Sequence, residues 1–375
     1  MAHAYTPGLR VAADTVLTRE RRLPLKGKVL VQCGEAVTAK TVVARTELPG
    51  NVHTVNLASK LGIDPAATPG ALLKPLGSAV EANEIVARAK SLFGMVQHRA
   101  ETPVRGTLES VSRITGQLIV REPPIPVEVD AYVRGRVANV LPDDGVVIET
   151  RAAFVQGIFG VGGETVGALR VAAKGPDQAL EPGLLDESHR GQVVVGGAYA
   201  SHAAIQRAIQ VGAAAVVVGG FDDHDLRALL GRDLGVAITG QEDLGITLVL
   251  TEGFGHMRMA ERTWSLLASH AGHEASVSGA TQIRAGVMRP EIVIPLESAA
   301  AAGKQEVGEH GGLVVGSLLR VIRAPSFGRI GRATQLPPEL RPLETEAAVR
   351  VVEVEFLDDA ARAWVPRANV ELIEA

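Results

Sequence analysis

The sequence has very few of the residues that build covalent cross-links, thiolate metal sites or aromatic cores. Cys33 is the only cysteine among 375 residues, so an internal disulfide and every multi-cysteine zinc or iron–sulfur site are excluded. Aromatic residues make up only 3% of the chain. The core must therefore come from valine, isoleucine, leucine and alanine, and valine-rich cores favour sheets.

The chain also lacks a strong net charge and a long apolar run. Its formal net charge of −4 gives no field that would attract nucleic acid or an anionic membrane without a local patch. No apolar run approaches the roughly 20 residues that span a bilayer, and residues 1–10 contain no signal-peptide core. With a single thiol, these features predict a soluble cytoplasmic protein without membrane contact. Its length suggests about two to four domains.

Short β-strands separated by glycine and proline are expected in residues 1–165. One phrase occurs twice: Gly34 precedes the apolar triplet at 42–44, and Gly77 precedes a similar triplet at 85–87. A later strand segment also occurs twice, at residues 103–111 and at residues 131–140. This weak internal repeat predicts two related β units.

The repeat resembles barrel-sandwich-hybrid domains, the biotinyl- and lipoyl-like folds also found at the front of some respiratory quinone-oxidoreductase subunits. The resemblance covers residues 23–150. In carrier proteins of this fold, a lysine at a hairpin tip bears the cofactor. The corresponding hairpin here, residues 89–96, has an apolar tip and lacks the usual context around Lys90. The resemblance therefore implies a structural or docking role rather than a carrier role.

A glycine-rich apolar stretch follows at residues 154–164. It fits neither the phosphate-binding P-loop pattern nor the dinucleotide pattern. A tight crossover between domains is the preferred interpretation, and a phosphate cradle is the alternative.

The pattern changes to alternating strands and helices after residue 166, which predicts an α/β domain with a parallel sheet at 166–300. Strands are expected at 192–197, 215–220, 236–240 and 246–251. Ser201 should cap a first helix that ends at Gly212. A second helix is expected at 226–230 and a third at 257–270.

Ligands of parallel sheets bind beyond the carboxyl ends of the strands, where backbone N–H groups can hold an anion. The candidate ligand-binding residues are those at the predicted strand ends together with one arginine from the polar run at 278–286. They are Gly196, Gly197, Gly219, Gly220, Gln241, Glu242, Asp243, Glu252 and Arg284. The alternative for the glycines is that they serve only the turns. Arg284 and Arg289 could contact a carboxylate or phosphate, but ion pairs that pin the α/β domain to the β-rich half are the preferred interpretation.

An acidic cluster at residues 222–225 could bind a divalent cation through carboxylate oxygens. Capping of the following helix is the preferred interpretation, and no metal site is predicted.

Residues 316–333 resemble the KOW motif of ribosomal proteins and transcription elongation factors. The resemblance implies an SH3-like β-barrel over residues 311–375 and, in relatives, binding to RNA or to ribosomal and polymerase partners. A possible phosphate-contacting or partner-binding patch consists of Arg320, Arg323, Arg329 and Arg332. Eight arginines against nine acidic residues leave this module with a net charge of −1. Protein docking is therefore at least as plausible as RNA binding.

The sequence thus predicts an α+β multi-domain protein. A β-rich barrel-sandwich-hybrid half at 1–165 precedes a central α/β domain at 166–300, a linker at 301–310 and a C-terminal SH3-like barrel at 311–375. The leading hypothesis is a non-catalytic scaffold or adaptor that binds protein partners and uses no cofactor. One alternative is a ligand-binding protein or enzyme that uses the α/β strand ends. The other is an RNA- or ribosome-associated factor.

Overall fold

The computed structural model describes residues 9–91, 96–231, 244–281, 288–297, 313–321, 326, 329–342, 348–357 and 359–372. The described chain is rich in strands, with one large mixed sheet and a half-barrel sheet at its C-terminal end. Within these residues, no helix is both long and apolar enough to cross a membrane.

The first part of the chain consists almost entirely of strands, as the sequence predicts. In chain order they are β1 (Val11–Arg22), β2 (Lys28–Val29), β3 (Ala36–Val37), β4 (Val42–Leu48), β5 (Val52–Asn56), β6 (Ala79–Val80), β7 (Ile85–Ser91), β8 (Val96–Glu101), β9 (Gly106–Val111), β10 (Gln117–Arg121), β11 (Ile125–Asp130), β12 (Gly135–Leu141) and β13 (Gly145–Gln156). A short helix α1 (Leu57–Leu61) and a 3-10 turn (Pro65–Ala71) follow β5. Strands β5 to β10 form a second β unit that is inserted between β4 and β11 of the first.

The two β units contain the same local structure, which confirms the internal repeat. Gly34 has φ +85° and donates its N–H to Val137 at 2.8 Å. Gly77 has φ +90° and donates its N–H to Leu108 at 2.7 Å. A positive φ is accessible to glycine at little cost, which explains the residue type at both turns.

The return strands of the two units are related in the same way. Gly135 in β12 pairs with Val37, and Gly106 in β9 pairs with Val80. A side-chain carbon on either glycine would come within 2.3 Å of a carbonyl oxygen in the next strand. Both positions therefore require glycine because two backbones approach closely.

The middle part of the chain combines strands with helices. The strands are β14 (Phe159–Val161), β15 (Glu164–Val171), β16 (Ala179–Leu180), β17 (Val193–Val195), β18 (Tyr199–Ala200), β19 (Ala215–Phe221), β20 (Thr247–Phe254), β21 (Glu274–Ser278) and β22 (Glu291–Pro295). The helices are α2 (His202–Val211), α3 (Asp223–Leu230) and α4 (Glu261–Ser269), with 3-10 turns at Pro182–Leu184 and Glu187–His189.

The sheet is mixed rather than purely parallel. Strands β15, β17, β19 and β20 pair in parallel. The sequence predicted β17, β19 and β20 but not β15. Antiparallel strands extend this core on both sides, with β14 beside β20 and β21 beside β15. Strand β22 then pairs with β13 of the first β unit. Hydrogen bonding in one sheet therefore continues across the predicted boundary between residues 165 and 166.

The helices cover both faces of the parallel strands. Helices α2 and α3 pack on one face through residues such as Ile205 and Leu226, and α4 packs on the other through Leu267. Ser201 caps α2 by accepting the Ala204 N–H, and Gly212 ends it with φ +76°, so both predicted helix signals are confirmed. Helix α4 begins later than predicted because residues 253–259 run over the strand ends.

The last part of the chain forms the half-barrel. Its strands are β23 (Leu318–Val321), β24 (Ile330–Gln335), β25 (Leu340–Pro342), β26 (Ala348–Phe356), β27 (Arg362–Pro366) and β28 (Val370–Leu372), with a 3-10 turn at Arg367–Asn369. Gly316 has φ +92° and donates its N–H to Ala333, while Gly331 pairs with Leu319. The half-barrel thus contains the same arrangement as the two N-terminal units, with one glycine in a turn of positive φ and a second glycine in the strand that this turn contacts.

Candidate functional site

The four glycines predicted to form a ligand edge are buried at the carboxyl ends of β17 and β19. Their backbone groups already have partners inside the protein. The Gly196 N–H donates to Val217 at 2.9 Å, and the Gly219 N–H donates to Gly197 at 2.8 Å. These two N–H groups are consequently not free to hold an anion.

Two loops of the chain cover this edge. A side-chain carbon on Gly219 would lie 2.1 Å from the Met257 carbonyl oxygen, and one on Gly220 would lie 2.1 Å from that of Gly255. A side-chain carbon on Gly197 would lie 2.3 Å from the carbonyl oxygen of Gln178 in the other loop. The glycines thus allow loop backbones to approach the strand ends, which leaves no ligand space at these positions.

Glu252 is the acidic strand-end residue that the structure describes, and it makes internal contacts. The residue lies at the end of β20 and is 5% exposed. Oε1 accepts the Ala260 N–H at 3.0 Å, just before α4, and Oε2 accepts a hydrogen bond from Nη2 of Arg320 at 2.5 Å. Arg320 lies in β23 of the half-barrel and is only 2% exposed. Glu252 was predicted for the ligand site at the strand ends, and Arg320 for the arginine patch of the C-terminal module. In the structure the two charges neutralise each other in the interior.

A second ion pair lies beside the first. Nη1 of Arg289 is 3.0 Å from Oε1 of Glu371, whose side chain is 1% exposed. Glu371 is the cross-strand partner of Arg320 in the β23–β28 ladder. Arg289 was expected to pair with the β-rich half, but its partner belongs to the C-terminal half-barrel. Two buried charge pairs thus join the half-barrel to the α/β part of the molecule.

A small cavity of about 40 Å³ lies at this junction. Arg320, Glu371, Glu252 and Gln156 supply polar groups to its wall. Nε and Nη1 of Arg320 and Oε2 of Glu371 are buried without a protein partner. Water can accept from the guanidinium and donate to the carboxylate, and a cavity of this size accommodates it. The junction is therefore suited to hydrated charges rather than to a metabolite.

The other arginines of the predicted C-terminal patch have different surroundings. Arg329 lies 2.7 Å from Oδ1 of Asp359, and its guanidinium stacks on Phe356 at 3.7 Å. Arg332 is exposed and donates to the Gly316 carbonyl at 3.4 Å. Because Arg320 is buried, it contributes no charge to such a surface. The described residues therefore leave Arg332 as the exposed cation of that patch.

Several predicted residues lie outside the described part of the chain. They are Gln241, Glu242, Asp243, Arg284 and Arg323. The expected strand at 236–240, the linker at 301–310 and the hairpin tip at 92–95 also lie outside it.

The acidic cluster at residues 222–225 acts as a helix cap. Oδ1 of Asp222 accepts the N–H groups of His224 at 2.8 Å and Asp225 at 3.4 Å, at the start of α3. Across the described residues, no group of three or more potential ligand side chains is placed to hold a metal ion.

Tyr132 has an unusual position that the sequence did not indicate. It has φ +62°, and its buried hydroxyl has no hydrogen-bond partner. Burial, followed by the nearby Glu291 and Glu164 carboxylates, raises the pKa of this phenol well above its ordinary value. Its carbonyl accepts the Ser276 hydroxyl at 2.5 Å, so this residue connects the first β unit to β21.

Glu371 was missed because the sequence gives no partner for it. A signal was nevertheless present: Arg320 and Glu371 are single charges within short apolar strands. Such charges need compensation when the strands are buried. No protein-family model and no curated protein matches this chain.

Proposed function

We propose that this protein is a non-catalytic scaffold or adaptor that binds protein partners through its β modules. The observation that supports this most is that the charged residues Glu252, Arg320 and Glu371 form ion pairs inside the protein. They lie between the α/β part and the half-barrel, where they hold two modules in a fixed relation. An adaptor needs its docking surfaces held in a fixed relation, because flexibility lost on binding reduces affinity.

The closed strand ends support the same proposal. Gly197, Gly219 and Gly220 are covered by the chain's own loops, so a small-molecule substrate gains little space there. In the proposal, the N-terminal units are barrel-sandwich-hybrid modules used for docking, and the half-barrel is a KOW-type module. The repeated turn and return-strand glycines support a common design for these three modules.

The proposal includes a cytoplasmic location. Cys33 is a free thiol on the surface. An exposed thiol persists most readily in a reducing compartment.

The test is capture of partners by the tagged full-length protein in its source organism, followed by reconstitution. We expect a stoichiometric complex that re-forms from purified components and elutes as one species in size-exclusion chromatography. A purified chain that is partner-free and turns over a metabolite would contradict the proposal. So would a thermal shift with a nucleotide, phosphate or metal that exceeds any effect of the captured protein.

Two variants connect this test to the structure. Arg320→Met should weaken the complex, because it leaves Glu252 without its partner and loosens the half-barrel. Arg362→Gln removes a charge from an exposed pair with Glu355 in the same half-barrel and serves as the control. Equal capture by both variants would show that fixed module geometry is not needed.

A further inference from the structure

One strand of the second β unit has an open edge. Strand β5 pairs with β10 on one side, and no other strand of the described chain pairs with it. Asn51 accepts the Glu122 N–H at 2.9 Å, and Leu57 donates its N–H to Gly116 at 2.9 Å. Both pairs continue the register between β5 and β10. The odd-numbered residues of this segment therefore turn their main-chain groups toward β10.

The even-numbered residues of β5 turn their main-chain groups to the open side. Val52 and Thr54 each present an N–H and a C=O there, and no described residue forms a hydrogen bond with these groups. Successive outward residues of a strand are roughly 7 Å apart. Unpaired donors and acceptors at this spacing match the main chain of another strand.

A groove of about 250 Å³ lies on this open side. It is lined by residues 54–56 of β5, by Lys60 of α1, by Asn83 and by residues 101–103. No residue of β10 lines it, so the groove is on the side of β5 that faces away from its partner strand. Because residues 101–103 stand beside the edge, the space admits one extended chain rather than the edge of another sheet.

Strand β5 also lacks the features that protect exposed edges. Such edges are commonly protected by lysine, proline, charged residues or bulges. Residues 52–56 are Val-His-Thr-Val-Asn, and their ladder with β10 has no register shift. In the first β unit, β11 likewise pairs with a single strand, but it contains Pro126, Glu128 and Asp130. The edge of β5 is thus open to pairing, whereas that of β11 is protected.

The surroundings of β5 define the side chains that suit an added strand. Val55 is 3% exposed in the core of the second unit, whereas Thr54 and Asn56 are exposed. An added strand continues this alternation, with apolar residues on the Val55 side and polar residues on the Thr54 side. Lys60 and Glu101 give the groove one charge of each sign, which favours a weakly charged polypeptide over a nucleic acid.

We propose that the open edge of β5 binds an extended segment of a partner protein, which joins the sheet as a strand with alternating apolar and polar side chains. This rests on the proposed adaptor function and names the chemistry of the partner. Main-chain hydrogen bonds supply the affinity, and the alternation of side chains selects the segment.

The first experiment measures binding of a capped fluorescent peptide to the full-length protein by anisotropy. The peptide alternates threonine with valine over about six residues, a usual strand length, between Ser-Gly pairs. Two further peptides carry N-methyl groups on every threonine or on every valine. The threonine N–H groups face β5 in an antiparallel addition, and the valine N–H groups face it in a parallel one.

One N-methylated peptide should therefore bind like the unmodified peptide, and the other at least roughly tenfold more weakly. Equal binding of all three peptides would overturn the inference, because main-chain pairing would then play no part.

Thr54→Pro tests the edge itself. It removes an outward N–H and no hydrogen bond to β10, and proline is tolerated at such positions. Peptide binding should weaken by at least roughly fivefold, while the urea midpoint stays unchanged. Thr54→Val is the matched control, because it keeps the N–H and the branched side chain, and its affinity should stay within about twofold. Equal binding by the two variants would overturn the inference.

Pairing between two copies of this chain has a different outcome. If the protein alone is a dimer that Thr54→Pro converts to a monomer in size-exclusion chromatography, the edge pairs with a second copy and the inference is overturned.

Failure of this inference can be told apart from failure of the adaptor function. If the Thr54→Pro protein still captures its cellular partner fully, the adaptor function stands and the partner binds elsewhere. If no partner is captured by any form of the protein and the peptide does not bind, both proposals fail.

Discussion

The buried pair between Glu252 and Arg320 provides the sharpest test of how this molecule is held together. Glu252→Gln keeps the shape of the side chain and the acceptor for the Ala260 N–H. It also leaves the Arg320 guanidinium, 2% exposed, without its carboxylate. Breaking a buried pair by removing one partner typically costs about 3–5 kcal/mol, because one charge stays uncompensated.

The double variant Glu252→Gln/Arg320→Met should recover most of this loss. It leaves neither charge behind, and apolar replacement of a whole buried pair is often close to neutral. We therefore expect it to lie within about 1–2 kcal/mol of the unchanged protein. The exposed control, Arg362→Gln, should cost about 0–1 kcal/mol.

Two tryptophans allow each part of the molecule to be followed separately. Trp264 lies in α4 against the α/β core, and Trp364 lies in β27 of the half-barrel. In the Trp264→Phe background, fluorescence during urea unfolding reports the half-barrel. In the Trp364→Phe background it reports the α/β part.

A loss of about 3–5 kcal/mol should lower the urea midpoint of the half-barrel by more than about 1 M, given ordinary denaturant slopes. The half-barrel transition should also separate from that of the α/β part. An unchanged Trp364 midpoint in Glu252→Gln would refute the reasoning. A double variant no more stable than the single variants would refute it as well.

Three further predictions concern other parts of the fold. Tyr132→Phe should leave stability unchanged or raise it by about 1 kcal/mol, because the buried hydroxyl has no partner. The raised pKa of Tyr132 keeps its phenol neutral in the folded state while the unfolded chain ionises above about pH 10. Stability should therefore fall as pH rises above 10, and less steeply in Tyr132→Phe; parallel urea-midpoint profiles would contradict this. Gly219→Ala should destabilise the α/β part by more than about 2 kcal/mol, because the added carbon would lie 2.1 Å from a loop carbonyl oxygen. An unchanged melting temperature would contradict this close packing and would make the strand ends a possible ligand site again. Asp222→Ala should cost about 1 kcal/mol through loss of the α3 cap, and circular dichroism melting that shows no loss would disprove that role.

Local structure was largely predictable because local residues determine it. Ser201 and Gly212 mark the two ends of α2 through hydrogen bonds within a few residues. The repeated glycines at 34 and 77 predicted related turns, since a positive φ favours glycine in any context. Three of the four parallel strands, β17, β19 and β20, followed from the alternation of apolar runs with helices, whereas β15 was not predicted.

The candidate sites were less predictable because their meaning depends on distant residues. In the sequence, Gly219 and Gly220 are compatible both with an anion-binding edge and with close packing of two backbones. Only the course of residues 253–259 over the strands distinguishes the two. Strand pairing has the same ambiguity. Nothing near β22 indicates that it pairs with β13 and so continues the sheet into the first β unit.

By itself, the amino-acid sequence determined the strand-rich architecture, the repeated β units and the caps of α2 and α3. Each of these depends on periodicity or on contacts within a few positions. The tertiary structure alone decided that Glu252 and Arg320 neutralise each other, and that Arg289 meets Glu371. Charge pairing acts through space over a few ångströms, so residues separated by long stretches of chain reveal it only once the fold brings them together.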